Sequence, residues 1–462
     1  MLEGLPKVLS DDETIVAIAT PLGTSGIGVV RISGQECLSI ARQFFESYSG
    51  KQRLEHRTAV VGTWHDGNGD QVDEVIVTFF RAPNSYTGED ILEVSAHGSP
   101  LGLHRIVETV VGGGARLAVP GEFTLRAVAH GKMDLVQAEG VRDFIEAQTE
   151  RQARNALRQM EGVLSKRIRP IKDELIDVVA HLEAGIDFAE DDIESPANTA
   201  VIEVIQRLRL QLGHLKDTFT FGKILTRGLR LVIIGKPNVG KSSLFNRLVA
   251  ADRAIVTDVP GTTRDVLTET IALDGVPITF ADTAGVRQTG DEVESIGVSR
   301  TFETVSEADF ALILFDGATR FDDDDQQALT RGASISHLII INKLDLPQVM
   351  DPDIFNGSPR VSVSAKTGEG FQELLGALRA FLMSRKTGFV DDSVLTNARQ
   401  YAAVSNATDA LGSAEQALSG GTPHEMVLLD LYRALAALGE LTGEVVTEDI
   451  LDRIFSSFCV GK

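Results

Sequence analysis

Gly235-Lys236-Pro237-Asn238-Val239-Gly240-Lys241-Ser242-Ser243 decides the reading of this 462-residue chain. The nine residues match G-x-x-x-x-G-K-[ST], directly after the apolar run Leu229–Ile234 and before a helix-like stretch from Ser243 to Val249. A polyphosphate cradle needs that strand–loop–helix setting. Glycines let the backbone wrap the anion, while amides and a helix N-terminus face it. Lys241 then reaches the β- and γ-phosphates, and Ser242 ligates Mg²⁺. A Gly-rich turn would satisfy the bare pattern too, and the flanking strand and helix argue against it.

Three further motifs complete a nucleotide site. Asp282-Thr283-Ala284-Gly285 closes the strand-like run Ile278–Ala281, where a carboxylate can hold Mg²⁺ through water and Gly285 can meet the γ-phosphate. Asn342-Lys343-Leu344-Asp345 ends the run Leu338–Ile341. Asp345 can accept both N1–H and the exocyclic amine of guanine, a pair adenine does not offer. Ser364-Ala365-Lys366 follows Val361–Val363 and can turn a backbone amide toward guanine O6. Each motif alone is weak. In this order, each at the C-terminal end of a strand, they specify GTP over ATP.

Hydrolysis needs more. Val286 stands where Ras-type GTPases place a water-orienting Gln, so another group must do that work. Gly261-Thr262-Thr263-Arg264-Asp265 follows the phosphate loop at the distance of a switch loop. Thr263, ahead of Thr262, is the candidate Mg²⁺ ligand. Arg264 is either an internal arginine finger or a surface switch residue.

Length implies about three domains, and 43% hydrophobic residues allow full burial. No apolar run approaches a membrane span and no charged-then-apolar leader opens the chain. With Cys37 and Cys459 the only cysteines, a reducing cytoplasm is expected. A net charge of −22 excludes broad non-specific duplex binding. A local basic patch is conceivable on Arg151, Arg154 and Arg158, continued by Lys166, Arg167, Arg169 and Lys172; a solvated helix face is the plainer reading. Asp322–Asp325 and Glu190–Asp192 read as acidic loops.

The expected fold is multidomain, α+β and α/β. Residues 1–128 form an N-terminal α/β domain with strands at Ile15–Ala19, Ile27–Ile32, Thr58–Trp64, Glu74–Phe80 and Ile91–Ser95. Helices Gln35–Phe45 and Leu101–Val111 interrupt them, and Tyr86–Asp90 reads as an exposed loop. Helical periodicity over 129–221 resumes at 389–462, giving one helical domain built from two chain segments. Residues 222–388 are an inserted Ras-like P-loop GTPase domain. Its strands near 229–234, 270–273, 278–282, 310–315, 337–341 and 360–363 make a doubly wound, mainly parallel sheet.

With these residues in hand, the chain resembles the MnmE (TrmE) family of tRNA-modification GTPases along its whole length. The resemblance rests on Gly235–Ser243, Thr257-Asp258-Val259-Pro260-Gly261-Thr262-Thr263-Arg264-Asp265, Asp282–Gly285, Asp291–Gly297 and Asn342–Asp345. Outside the nucleotide domain it rests on Gly28–Gly34, Tyr86–Asp90, Gly131–Glu139 and the terminal Phe458-Cys459-Val460-Gly461-Lys462. It implies a homodimer formed through the N-terminal domain, with GTP and K⁺ drawing the two GTPase domains together. K⁺ would sit at the arginine-finger position, held by Asn238, Thr257, Val259 and Thr262. Glu294 would position the attacking water through a bridging water, and Arg287 would serve as a switch residue. The N-terminal domain would be folate-binding, taking a 5-formyltetrahydrofolate-like one-carbon donor through Arg31, Glu89, Lys132 and Lys462, with Cys459 nearby as a nucleophilic or redox thiol. With the flavoprotein MnmG, in a heterotetramer or larger complex, such proteins modify carbon 5 of the wobble uridine of certain tRNAs. Two other readings share some of these features. One is a ribosome-assembly or translational GTPase; the other is a non-enzymatic folate-binding scaffold with a nucleotide-sensing domain.

Overall fold

The computed structural model describes residues 13–50, 53–187, 198–251, 270–280, 308–355, 357–384, 395–444 and 447–461. They fall into two compact units, one of residues 1–142, 159–209 and 403–462, the other of residues 143–158 and 210–402.

The first unit carries a seven-stranded sheet: β1 (Ile15–Ile18), β2 (Ser25–Ser33), β3 (Phe45–Ser47), β4 (Ala59–His65), β5 (Gln71–Phe80), β6 (Ile91–Gly98) and β7 (Arg116–Leu117). Their order is β3-β4-β5-β6-β2-β1-β7. All neighbours are antiparallel except β1 and β7. Side chains alternate across the sheet, so Val75, Val77 and Phe79 of β5 point into the core with Val30, Ile32, Leu92 and Val94. Helices Cys37–Phe44 and Pro100–Gly112 cover that face with Ile40, Phe44, Leu103, Ile106 and Val110. Ser99 caps the second of these and Pro100 fits its first turn. The expected strands and helices of this region are all present. The short β3 and β7 were not expected, because two or three residues carry no periodicity.

Within the first unit, helices from the two helical chain segments pack together. Helix Val163–Asp187 runs along helix His424–Thr442, burying Leu175, Val179 and Leu182 together with Val427, Leu431, Leu438 and Leu441. Polar ties reinforce this: Lys172 with Glu444, Tyr432 with Glu183, Arg209 with Glu415, and His424 with Asn198 at 2.8 Å. Arg151 and Arg154, candidates for a basic patch, are taken up locally. Arg151 lies over the Phe221 ring and donates to the Asp274 carbonyl, and Arg154 pairs with Glu150.

The second unit holds β8 (Leu229–Ile234), β9 (Thr270–Leu273), β10 (Val276–Phe280), β11 (Phe310–Asp316), β12 (His337–Asn342) and β13 (Arg360–Ser362), in the order β13-β12-β11-β8-β10-β9. Only the β9–β10 hairpin is antiparallel. Every residue of β11 is buried, as expected of a strand covered on both faces. After β8 the chain builds first to one side and then to the other, so the switch point of the sheet lies between β8 and β11. Helix Phe219–Arg227 buries Phe221, Ile224 and Leu225 in the core of this sheet, so the compact unit begins ahead of residue 222.

Candidate active site

The loop after β8 is shaped by contacts that admit few alternatives. A Cβ on Gly235 would come within 2.5 Å of the Leu314 carbonyl oxygen, so the chain leaves the strand pressed against β11. Gly240 has φ of +103°, and a Cβ there would meet the Asn342 amide nitrogen at 2.2 Å. Asn238 sits at φ 60°, a left-handed conformation that Asn tolerates better than most residues. Helix Lys241–Ala251 follows at once, with Ser242 half-buried in its first turn.

Lys241 Nζ donates to the Gly235 and Lys236 carbonyls at 2.8 and 2.9 Å. Burial lowers its pKa, since the lost water disfavours the charged form. A desolvated ammonium held by carbonyls among the described residues is a ready receptor for a phosphate.

The residues expected to meet guanine are also held in place. Ser364 Oγ donates to Asp345 Oδ1 at 2.6 Å, fixing the carboxylate and holding its pKa below the ordinary value. Lys343 pairs with Asp316 at 2.6 Å. Asn342 joins the two halves of the site: Nδ2 donates to the Val239 carbonyl at 2.7 Å, and Oδ1 accepts from the Ala365 amide at 2.9 Å. Arg247, on the helix after the phosphate loop, donates to the Ala365 and Lys366 carbonyls at 2.7 and 2.6 Å. Phosphate loop and base loop therefore share one frame. Arg247 was not singled out in the sequence, since an arginine on an amphipathic helix carries no local mark of such a role.

Asp322–Asp325, expected to form an acidic loop, instead open helix Asp323–Gly332. Asp322 caps it, and Asp325 completes a reciprocal capping box. Among the described residues, no group of acidic, His or Cys side chains is arranged to hold a metal ion. Thr257, Asp258, Val259, Pro260, Gly261, Thr262, Thr263, Arg264, Asp282, Thr283, Ala284, Gly285, Val286, Arg287, Glu294 and Lys462 lie outside the described residues.

In the N-terminal unit, Arg31 lies on β2 and Glu89 in the loop that leads into the neighbouring β6. Arg31 pairs with Glu93 at 2.9 Å, lies over the Tyr86 and Phe123 rings, and donates to the Gly461 carbonyl at 3.4 Å. Tyr86–Asp90 is half-buried rather than exposed. Ser33 and Thr87 hydroxyls bond at 2.7 Å, and His130 Nδ1 bonds the Thr87 carbonyl at 2.7 Å. Glu89 accepts from Ser33 and, on both oxygens, from Arg126 at 3.0 Å. Arg126 is 1% exposed and also bonds Glu122, which in turn pairs with Arg116 at 2.6 Å. Burial pushes the Glu122 carboxyl up. Arg116, the Val119 amide and Arg126 outweigh it, so its pKa lies below the ordinary value. A carboxylate offers about four acceptor positions; among the described residues three on Glu89 are used, leaving capacity for a further donor. Lys132 Nζ donates to the Pro83 carbonyl at 2.8 Å, and the free thiol of Cys459 is exposed.

A family model described as "MnmE helical domain" matches residues 135–459, and one described as "GTP-binding protein TrmE N-terminus" matches residues 14–132. The "tRNA modification GTPase MnmE" of Koribacter versatilis (strain Ellin345) is 46% identical over 456 residues, covering 98% of this chain and 99% of its own. That of Aquifex aeolicus (strain VF5) is 41% identical over 453 residues, covering 97% and 100%. That of Symbiobacterium thermophilum is 42% identical over 463 residues, covering 98% and 100%.

Proposed function

The chain belongs to the MnmE family of tRNA modification GTPases, and from that membership we propose how this GTPase serves tRNA. Working with MnmG, it modifies carbon 5 of the wobble uridine to aminomethyl or carboxymethylaminomethyl groups, as a homodimer in the cytoplasm. Residues 1–128, 129–221, 222–388 and 389–462 are the proposed division of labour. The first would bind folate and form the dimer, the second and fourth would make up the helical domain, and the third would be the inserted GTPase domain.

The observation that carries the reading is Asn342, which ties the phosphate loop to the base loop beside an Asp345 carboxylate ordered by Ser364. GTP would be held by Asn238, Val239, Gly240, Lys241, Ser242 and Ser243, with Asn342, Lys343, Asp345, Ser364 and Ala365 around the base. Thr257–Thr263 and Asp282–Gly285 would close over the phosphates. Ser242 with Thr263 would take Mg²⁺, and Asn238 with Thr257, Val259 and Thr262 would take K⁺. The left-handed, exposed Asn238 suits that role. Bound there, the cations supply positive charge against the charge spreading over the γ-phosphoryl oxygens. Glu294 would orient water and Arg287 would act in the switch. Arg31, Glu89, Lys132 and Lys462 would hold the 5-formyltetrahydrofolate-like donor near Cys459; the spare acceptor capacity of Glu89 supports this.

Mass spectrometry of wobble nucleosides from cells lacking the protein tests the whole reading. Unmodified carbon 5 is expected, and an unchanged nucleoside profile would refute it. Single-turnover GTP hydrolysis in KCl and in NaCl tests the cation. Fast turnover is expected in KCl only, whereas equal slow rates would favour a nucleotide sensor. The ribosome-assembly alternative gains no support, because the relatives match over the N-terminal and helical segments as well as the nucleotide domain.

A further inference from the structure

Lys236, the second residue of the phosphate loop, points away from the nucleotide side chains and into a fixed pair of carboxylates. Its Nζ lies 2.7 Å from Asp322 Oδ2 and 2.8 Å from Asp325 Oδ2. Those acceptors are not free to follow it. The Asp325 amide donates to Asp322 Oδ1 at 3.0 Å, and the Asp322 amide donates to Asp325 Oδ2 at 3.2 Å, so both are locked in the helix cap. Asp325 is fully buried, while the Lys236 side chain is 15% exposed. The helix they cap is seated on the sheet: a Cβ on its Gly332 would strike Ile313 at 2.5 Å and come within 3.4 Å of Ile234, the residue that precedes the loop. Burial works against the Lys236 ammonium, and its bonds to Asp322 and Asp325 overcome that, so its pKa lies above the ordinary lysine value.

Asn342, Lys241 and Lys236 are among the side chains that hold this loop, and they differ in what nucleotide does to them. Asn342 holds Val239 near the loop's end. Lys241 holds the Gly235 and Lys236 carbonyls, but an ammonium has only three donors. Engaging both β- and γ-phosphates draws it off at least one of those carbonyls. The side chain of Lys236 faces Asp322 and Asp325, and phosphate binding makes no demand on it.

We infer that Lys236 is a positioning residue: its ion pair with Asp322 and Asp325 keeps the first half of the phosphate loop in place once Lys241 has turned to the nucleotide. The loop amides that meet the β-phosphate then stay where binding needs them, without reorganisation.

The test separates positioning from plain stability by asking only about the β-phosphate. Affinities of the full chain for GDP and GMP are measured by displacement of a fluorescent GDP, with melting temperature recorded alongside. In Lys236→Met the GDP-to-GMP affinity ratio is expected to fall about tenfold, the scale of one hydrogen bond to a charged group. Lys236→Arg should restore it to within about twofold, since the guanidinium can still reach both acceptors. An unchanged ratio in Lys236→Met overturns the inference, whatever happens to the melting temperature. Should that variant not fold, Asp322→Asn decides instead, because Asn caps a helix as well as Asp does. It removes one charge from a half-exposed site and should lower the ratio by about twofold to threefold; no change there is equally fatal.

Discussion

The loop carrying Asp345 and the N-terminal ionic cluster each hold a carboxylate proposed to meet a ligand, and they are built in opposite ways. Asp345 stands on a loop at the end of a parallel strand, ordered by one neighbouring hydroxyl. Glu89 is embedded in a relay with Ser33, Arg126, Glu122 and Arg116, five residues drawn from four places in the chain. The first arrangement puts chemistry on the surface of a scaffold that is stable without it. The second makes the chemistry part of what holds the scaffold together. Substitutions in the two regions should therefore separate function from stability.

The largest effect belongs to the buried cluster. Arg126→Ala leaves Glu122 and Glu89 facing each other without their shared cation, at a cost of about 3–5 kcal/mol. The single tryptophan, Trp64, is buried in the same sheet, so its fluorescence during urea unfolding reports this unit. Acid should act in the same direction. The folded pKa of Glu122 is depressed, so its contribution is complete above its unfolded value of about 4.3 and is lost as pH falls through the folded value. In Arg126→Ala that loss should be blunted, and an unchanged acid transition would show that the cluster does not set it.

Asp345→Asn is the converse. It replaces the proposed charged acceptor of two guanine hydrogen bonds and should weaken GTP binding by about a hundredfold or more. The Trp64 unfolding curve should not move. A shift in that curve would break the contrast drawn here, because it would make the base loop structural.

How legible each region is in the sequence follows from the same contrast. The phosphate and base loops are contiguous motifs whose backbone does the recognising, so Gly235–Ser243 and Asn342–Asp345 announce themselves by residue type and spacing. The apolar runs before them fix the strands, and the observed sheet agrees with those runs. The relay around Glu89 has no local pattern. Arg116, Glu122 and Arg126 look like ordinary charges beside a helix, and only sheet pairing brings Ser33 and Glu89 to them. The Glu122–Arg126 spacing was visible as an i, i+4 pair, but nothing in the sequence says it is buried. Lys236 was hidden for another reason: its motif position is unspecified, and its partners are 86 and 89 residues away.

A smaller effect sharpens the reading of the base loop. Ser364→Ala removes the hydroxyl that depresses the Asp345 pKa, so that pKa should return toward the ordinary carboxylate value. Guanine needs the ionised form, and affinity falls as pH drops through that pKa. GTP titrations at descending pH should therefore lose affinity earlier in Ser364→Ala than in the parent, with a loss of about threefold to tenfold at neutral pH. Parallel pH curves would mean Ser364 only orients the carboxylate.

The smallest effect tests whether burial, and not ion pairing as such, makes the N-terminal cluster matter. His97 and Asp73 lie on the same sheet and bond at 2.7 Å, but the imidazole is 72% exposed. The Asp73 hydrogen bond and charge raise the His97 pKa. A raised folded pKa means the pair stabilises fully below the unfolded value of about 6.5 and loses that contribution as pH rises through the folded value. Water screens such a pair, so His97→Gln should change the melting temperature by about a degree or less at either end of that window. A drop comparable to that of Arg126→Ala would mean the two ion pairs differ in position but not in kind, and the distinction between an embedded carboxylate and a displayed one would fail.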